Sequence, residues 1–179
     1  MTEYAALRSG GRPWRTLAGV GATLALVTAA IVASPGSIRP GELGFAPHAP
    51  DWSVLERQSL AIQVHVGAAA AAFVLGLVQL LGPKGTMPHR IVGWSWVLVM
   101  LTAAISSIFI RQLNHGMFSF IHILTGLALV SLPMLVYAAR KGDIAAHRKH
   151  ATGLFAGAVL LAGALAFLPG RVMWELVLG

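Results

Sequence analysis

The sequence predicts an all-α integral membrane protein with five transmembrane helices and a cytoplasmic N-terminus, and three observations predict it. Of the 179 residues, 56% are hydrophobic and only 11% charged, an apolar excess that no small water-soluble core can hide. Five segments approach the ~20 mainly apolar residues that span a bilayer: 17–33, 58–82, 91–110, 118–139 and 151–168. The basic residues behind the net charge of +7 gather at alternate ends of these segments. They form no single patch with interleaved aromatics, so membrane topology explains the basicity and nucleic acid is not an expected partner.

The first segment follows Arg8, Arg12 and Arg15, runs for about 17 residues, and has no convincing small-x-small cleavage site before Ser34. It therefore reads as an uncleaved anchor, making 1–33 a cytoplasmic N-terminus plus anchor helix. Residues 34–57 carry Pro35, Gly36, Pro40, Gly41, Gly44, Pro47 and Pro50, which interrupt regular structure and give an external loop. His48 in that loop reads as solvated. The four remaining segments make a four-helix bundle over 58–170, followed by a tail at 171–179. A cytoplasmic N-terminus places Arg8, Arg12, Arg15, Lys84, Arg90, Arg140, Lys141, Arg148 and Lys149 inside and Arg39, Arg57, Arg111 and Arg171 outside. Glu42, Asp51, Glu56 and Glu175 fall outside, with Glu3 and Asp143 inside. The expected orientation is N-in and C-out.

Self-similarity orders the bundle further. His65 is followed nineteen positions later by Lys84-Gly85, and His122 nineteen positions later by Lys141-Gly142. Lys84-Gly85 then leads to His89-Arg90 and Gly93, as Lys141-Gly142 leads to His147-Arg148 and Gly153. The simplest account is a tandem repeat of a two-helix hairpin, the first copy about 58–111 and the second about 117–170. Nineteen helical residues span about 28 Å, so His65 and His122 lie near the outer edge of the hydrocarbon, with His89 and His147 at the cytoplasmic side. A pseudo-twofold axis along the membrane normal brings His65 towards His122, and His89 towards His147.

Two readings compete for each pair. Lys84-Gly85 and Lys141-Gly142 have the features of helix ends, with glycine in the left-handed C′ conformation and lysine against the dipole. His89 and His147 can be interfacial anchors beside them. His65 and His122 lie inside apolar helices, where ionisable residues are functional candidates, or else are core histidines bonded to a helix carbonyl, Gln63, Gln79 or Ser131. Two imidazole pairs suit haem iron, which accepts one axial nitrogen from each side, and small residues admit the macrocycle between helices. Ala68 to Ala72, Gly153 and Gly157 supply such residues, although small-xxx-small helix packing also accounts for the two glycines. Zinc or copper wants three or four ligands, for which His115 can join His65 and His122, and His150 can join His147. His150 can equally replace His147 as the cytoplasmic-side haem ligand.

Other chemistries are excluded. With no cysteine, disulfides, thiolate zinc sites, iron-sulfur clusters and covalently attached haem lack their thiol. The expected helices hold no Asp or Glu, which counts against proton-coupled transport, and no nucleophile elbow or phosphate-cradling glycine loop is present.

The stretch from Gln63 to Arg171, through "HVGAAAAAFVLGLVQLLGPKG", "HRIVGW", "FSFIHIL", "AAHRKH" and "LPGR", resembles a bacterial membrane-protein family known as domain of unknown function family 2306. That resemblance implies the fold and brings no established activity. The placement of the histidines is similar to that in cytochrome b-561-type transmembrane dihaem proteins. This second resemblance implies up to two b-type haems, one on His65 and His122 and one on His89 with His147 or His150. The expected function is transmembrane electron transfer in a bacterial inner membrane, an oxidoreductase-type membrane cytochrome exchanging electrons with a quinol or a small redox partner. The alternative is a cofactor-free scaffold or accessory subunit of a larger membrane complex, its histidines bridging helices.

Overall fold

A computed structural model describes residues 46–111 and 121–179. The expected anchor at 17–33 and the turn that carries His115 lie outside the described residues. Among those described, every regular element is helical.

The described chain begins as an extended strip that is bonded to its own C-terminal tail. Ala46, His48 and Asp51 N–H donate to Leu178, Val177 and Leu176 O at 2.9, 3.1 and 2.9 Å. Asp51 then caps a short helix, α1 (Trp52–Glu56), by accepting the Ser53 N–H. The Pro-rich run removes backbone donors and disfavours helix, so the strip satisfies its remaining amides on another segment. These bonds put the residues before the second expected span and those after the fifth at one end of the bundle.

From Ser59 the chain enters α2 (Leu60–Leu81), whose alanine-rich middle has no residue that breaks a helix. Helix α3 (Met87–Ile108) starts at Thr86, which accepts the His89 N–H at 3.3 Å, with Pro88 in the first turn where its missing donor costs nothing. Helix α4 (Ile121–Lys141) carries Pro133 in its interior and the basic Arg140 and Lys141 in its last turn. Helix α5 (Ile144–Leu154) is capped by Asp143, passes into a π-helical segment at Phe155–Leu161, and ends as a short helix, α6 (Ala162–Ala166). A final helix, α7 (Val172–Val177), packs on α1.

Among the described residues four helical stretches are long and apolar enough to cross a membrane: Leu60–Leu81, Met87–Ile108, His122–Lys141 and Ile144–Ala166. These are the second to fifth expected spans. The last starts seven residues before the expected 151, because Asp143 accepts the Ala146 N–H at 2.9 Å and carries the polar His147-Arg148-Lys149-His150 run into the helix. Helix α2 lies along α3, α3 against α4 and α4 against α5, and the π-helical segment closes back on α2.

The core is a column of Ala72, Trp96, Met100, Ala104, Ala128, Leu132, Leu135, Leu154, Phe155 and Val159. Trp96 Nε1–H donates to Ala72 O at 2.9 Å and ties α3 to α2. Gly76 lets α2 approach α5, since a Cβ there would overlap the Phe155 ring, itself stacked on Phe73 with centroids 6.2 Å apart. Outward residues such as Val74, Leu98, Ile105, Leu127 and Val130 are exposed, which water would penalise and lipid does not.

The two interhelical turns share one feature and differ in another. Gly85 and Gly142 both take a positive φ, of 79° and 73°. In the second turn, Gly142 N–H donates to Ala139 O and Asp143 N–H to Ala138 O, which is a Schellman end with Gly142 at C′. In the first turn the expected helix end at Lys84-Gly85 is corrected. Helix α2 stops at Gly82 in extended conformation, because Pro83 cannot continue it, and Gly85 turns the chain three residues later. Lys84 still serves the helix end, its Nζ donating to Leu80 O and Gly82 O at 2.5 and 2.9 Å.

Candidate functional site: histidines within the helical bundle

At the end of the bundle that holds the two turns, the caps Thr86 and Asp143 start α3 and α5 so that His89 and His147 fall in their first turns. The two rings meet edge to face with centroids 6.4 Å apart. His147 Nδ1 lies 3.3 Å from Leu135 O. A carbonyl only accepts, so Nδ1 carries the proton there and Nε2 keeps its lone pair. Gln79 on α2 completes the group: its Nε2 donates to His89 O at 2.7 Å, while its Oε1 is buried with no hydrogen-bond partner among the described residues. Gly93 admits the amide, since a Cβ there would meet Gln79 Nε2 at 3.0 Å.

His150 does not share this group. One helical turn beyond His147, it lines a separate cavity with Pro133, Tyr137, Lys141 and Asp143. No set of three His, Asp or Glu side chains able to hold a metal ion occurs among the described residues, so a site with His150 as third ligand beside His147 does not form. His115 lies outside the described residues.

At the other end of the bundle, His65 turns towards α3. Its Nδ1–H donates to Ala103 O at 2.9 Å, with Ser106 Oγ at 3.3 Å, which again leaves Nε2 as the nitrogen with a free lone pair. Beside it Ser107 Oγ and Thr125 Oγ1 share a hydrogen bond of 2.7 Å, linking α3 to α4 one turn below His122. Ser106, Ser107 and Thr125 are the buried polar side chains in the described bundle. They form a polar belt at the level where the histidine spacing places His65 and His122.

Several sequence expectations change at this resolution. Gln63 donates to Glu56 O and Gln58 O and does not reach His65; Gln79 belongs to His89. The partners of His65 are Ala103 and Ser106, for which the adjacent serines of an apolar helix were the available signal. Gly153 and Gly157 would meet nothing within 4 Å if given a Cβ, so neither is a close helix contact among the described residues. His48 is exposed but not merely solvated, since its ring lies 2.7 Å from Ala49 O and 3.1 Å from Gly179 O.

Comparison with known proteins adds one result. A family model described as "Predicted membrane protein (DUF2306)" matches residues 62–176, nearly two thirds of the chain. No curated protein and no solved structure matches, so the likeness to cytochrome b-561-type proteins rests on histidine placement alone. The matched span runs from the first turn of α2 to the last turn of α7 and contains all the histidines described in the bundle, and the chain belongs to this family of predicted membrane proteins.

Proposed function

We propose that the bundle is a bis-histidine b-type haem protein of a bacterial inner membrane that moves electrons between a quinol or small redox partner and an acceptor. The observation that carries this reading is the His89–His147 pair. Their ring centroids stand 6.4 Å apart at an interplanar angle of 72°, so two imidazoles from different helices come together at the turn end of the bundle, where they would hold the group. Nδ1 of His147 and of His65 faces a backbone carbonyl, the arrangement that fixes the tautomer and raises the basicity of a ligating Nε2. Among the described residues no three His, Asp or Glu side chains gather to hold a metal ion, and haem iron needs only two protein nitrogens.

When bound, the group supplies reversible one-electron chemistry of its iron. The chain's own residues do the rest. His89 and His147 would ligate the group, Leu135 O orients His147, and the Gln79 amide fixes the start of α3 where His89 stands. Arg90 and Arg148 sit next to the two ligands as exposed cations, placed to balance carboxylates of the macrocycle. His65 and His122 would form the second site on the same principle, with Ala103 O orienting His65.

One observation favours a second reading. The bonds from His65 and His147 to carbonyls of neighbouring helices also suit a cofactor-free scaffold whose histidines bridge helices. Absorption spectroscopy of the purified protein separates the two. A Soret band that weakens in His89→Ala and His147→Ala, and is lost when His65 and His122 are replaced as well, supports haem; a colourless protein that is only destabilised by these changes supports the scaffold.

A further inference from the structure

We propose that the groove between the end of α4 and the start of α5 binds one anionic phospholipid, with its phosphate at Lys141 and His150 and an acyl chain along Met134 and Pro133. The cavity has a volume of about 490 Å³ and is lined by Pro133, Met134, Tyr137, Ala138, Lys141, Asp143, Ala146 and His150. Its wall from α4 is a single face, because Pro133, Tyr137 and Lys141 recur every four residues over about 12 Å of helix. That face is graded, with exposed apolar Pro133 and Met134 towards the middle of the span and Lys141 at the turn. Lys141 Nζ stands 5.3 Å from the centroid of the Tyr137 ring, which holds it over the groove. From α5, His150 faces the same space, while the one acid on the rim, Asp143, is engaged as a cap on the Ala146 N–H.

Charge complementarity selects the occupant. Arg140, Lys141, Arg148 and Lys149 lie at this turn and are exposed, and basic pockets between membrane helices recognise anionic headgroups. A free phosphate would use Lys141 and His150 but gain nothing from Met134 and Pro133. A zwitterionic lipid would bring its own cation into a cationic rim. The amphiphile that satisfies both ends of the groove is a lipid with net negative charge. The site is separate from the haem pair, since neither His89 nor His147 lines the cavity.

The test uses the full chain in nanodiscs or detergent, with native mass spectrometry of retained lipid and thermal stability as readouts. Phosphatidylglycerol is expected to be retained and to stabilise, and phosphatidylcholine is not. Lys141→Gln should weaken phosphatidylglycerol retention about fivefold, as expected for one surface charge. His150→Gln should weaken it in the same direction, and Met134→Trp should block the groove without changing charge. Equal retention of the two lipids overturns the proposal, as does retention unchanged in all three variants. Stabilisation by inorganic phosphate equal to that by phosphatidylglycerol overturns the lipid assignment. If Lys141→Gln fails to fold, Met134→Trp and His150→Gln decide the outcome alone.

Discussion

Substitution of Gly76 by alanine tests how α5 closes on α2. A Cβ at this position would overlap the edge of the Phe155 ring and approach Trp96 Nε1 to 3.1 Å. Neither neighbour can yield cheaply. Phe155 is 6% exposed and stacked on Phe73, and Trp96 is 5% exposed with its indole N–H committed to Ala72 O. In an exposed helix the same change would stabilise by up to about 1 kcal/mol through propensity. Here overpacking of a rigid core costs about 1–3 kcal/mol and should outweigh it, for a net loss of about 1–2 kcal/mol. The assay is reversible unfolding in mixed micelles, followed by circular dichroism. A double-mutant cycle with Phe155→Ala sharpens the test. Removing the ring removes the overlap, so the pair should be less destabilised than the sum of the singles, with a coupling of about 0.5–3 kcal/mol. A neutral or stabilising Gly76→Ala, or strict additivity with Phe155→Ala, would refute the packing of the π-helical segment on α2.

Other predictions follow from individual contacts. Gly142→Ala forces an alanine to a φ of 73° and should destabilise by about 1–2 kcal/mol, whereas Gly153→Ala meets nothing within 4 Å and should be neutral or stabilising by up to about 1 kcal/mol, both read from thermal melts. Ser107→Ala breaks the bond between α3 and α4 and should cost about 0.6 kcal/mol, at most near 1.7, with coupling to Thr125→Val in a double-mutant cycle. Hydrogen bonds from Ser53 hold the Asp51 carboxyl below its ordinary value of 3.8. A depressed carboxylate stabilises above the unfolded value, and this contribution is lost as pH falls below 3.8 and through the folded value. The protection of the Ser53 amide, its exchange rate taken against the intrinsic rate at the same pH, should therefore fall on acidification through that window, and Asp51→Ala should show the lower protection already at neutral pH.

The sequence carried most of the architecture because it carried the periodic and punctuating residues. Long runs without charge gave the spans, and Lys141-Gly142 marked the end of α4 where the structure has it. Lys84-Gly85 marked a turn but not the helix end, since Pro83 stops α2 before it. The start of α5 was hidden by the low hydropathy of His147 to His150, which only the Asp143 cap assigns to the helix. Nothing local distinguishes the π-helical Phe155–Leu161 from an ordinary helix; its register depends on Phe155 meeting Gly76 across the bundle. The pairing of His89 with His147 was legible from the internal repeat. Which of His147 and His150 approaches His89 was not, because residues three apart lie close on the helical wheel, and only the contacts of His147 with His89 and Leu135 O separate them. The docking of the Pro-rich strip on the tail rests on backbone bonds between positions more than a hundred residues apart, which no local pattern encodes.

The central claim is that His89 and His147 hold a b-type haem, and the direct measurement is the absorption spectrum of the protein purified from cells supplied with haem. The expected spectrum has a Soret band and, on reduction, the sharp α-band of a b-type haem. The share of both that belongs to this pair should be lost in His89→Ala and His147→Ala, the share of the His65 and His122 site remaining, and both should be retained in full in His150→Gln. A folded wild-type protein with no Soret band under these conditions would contradict it.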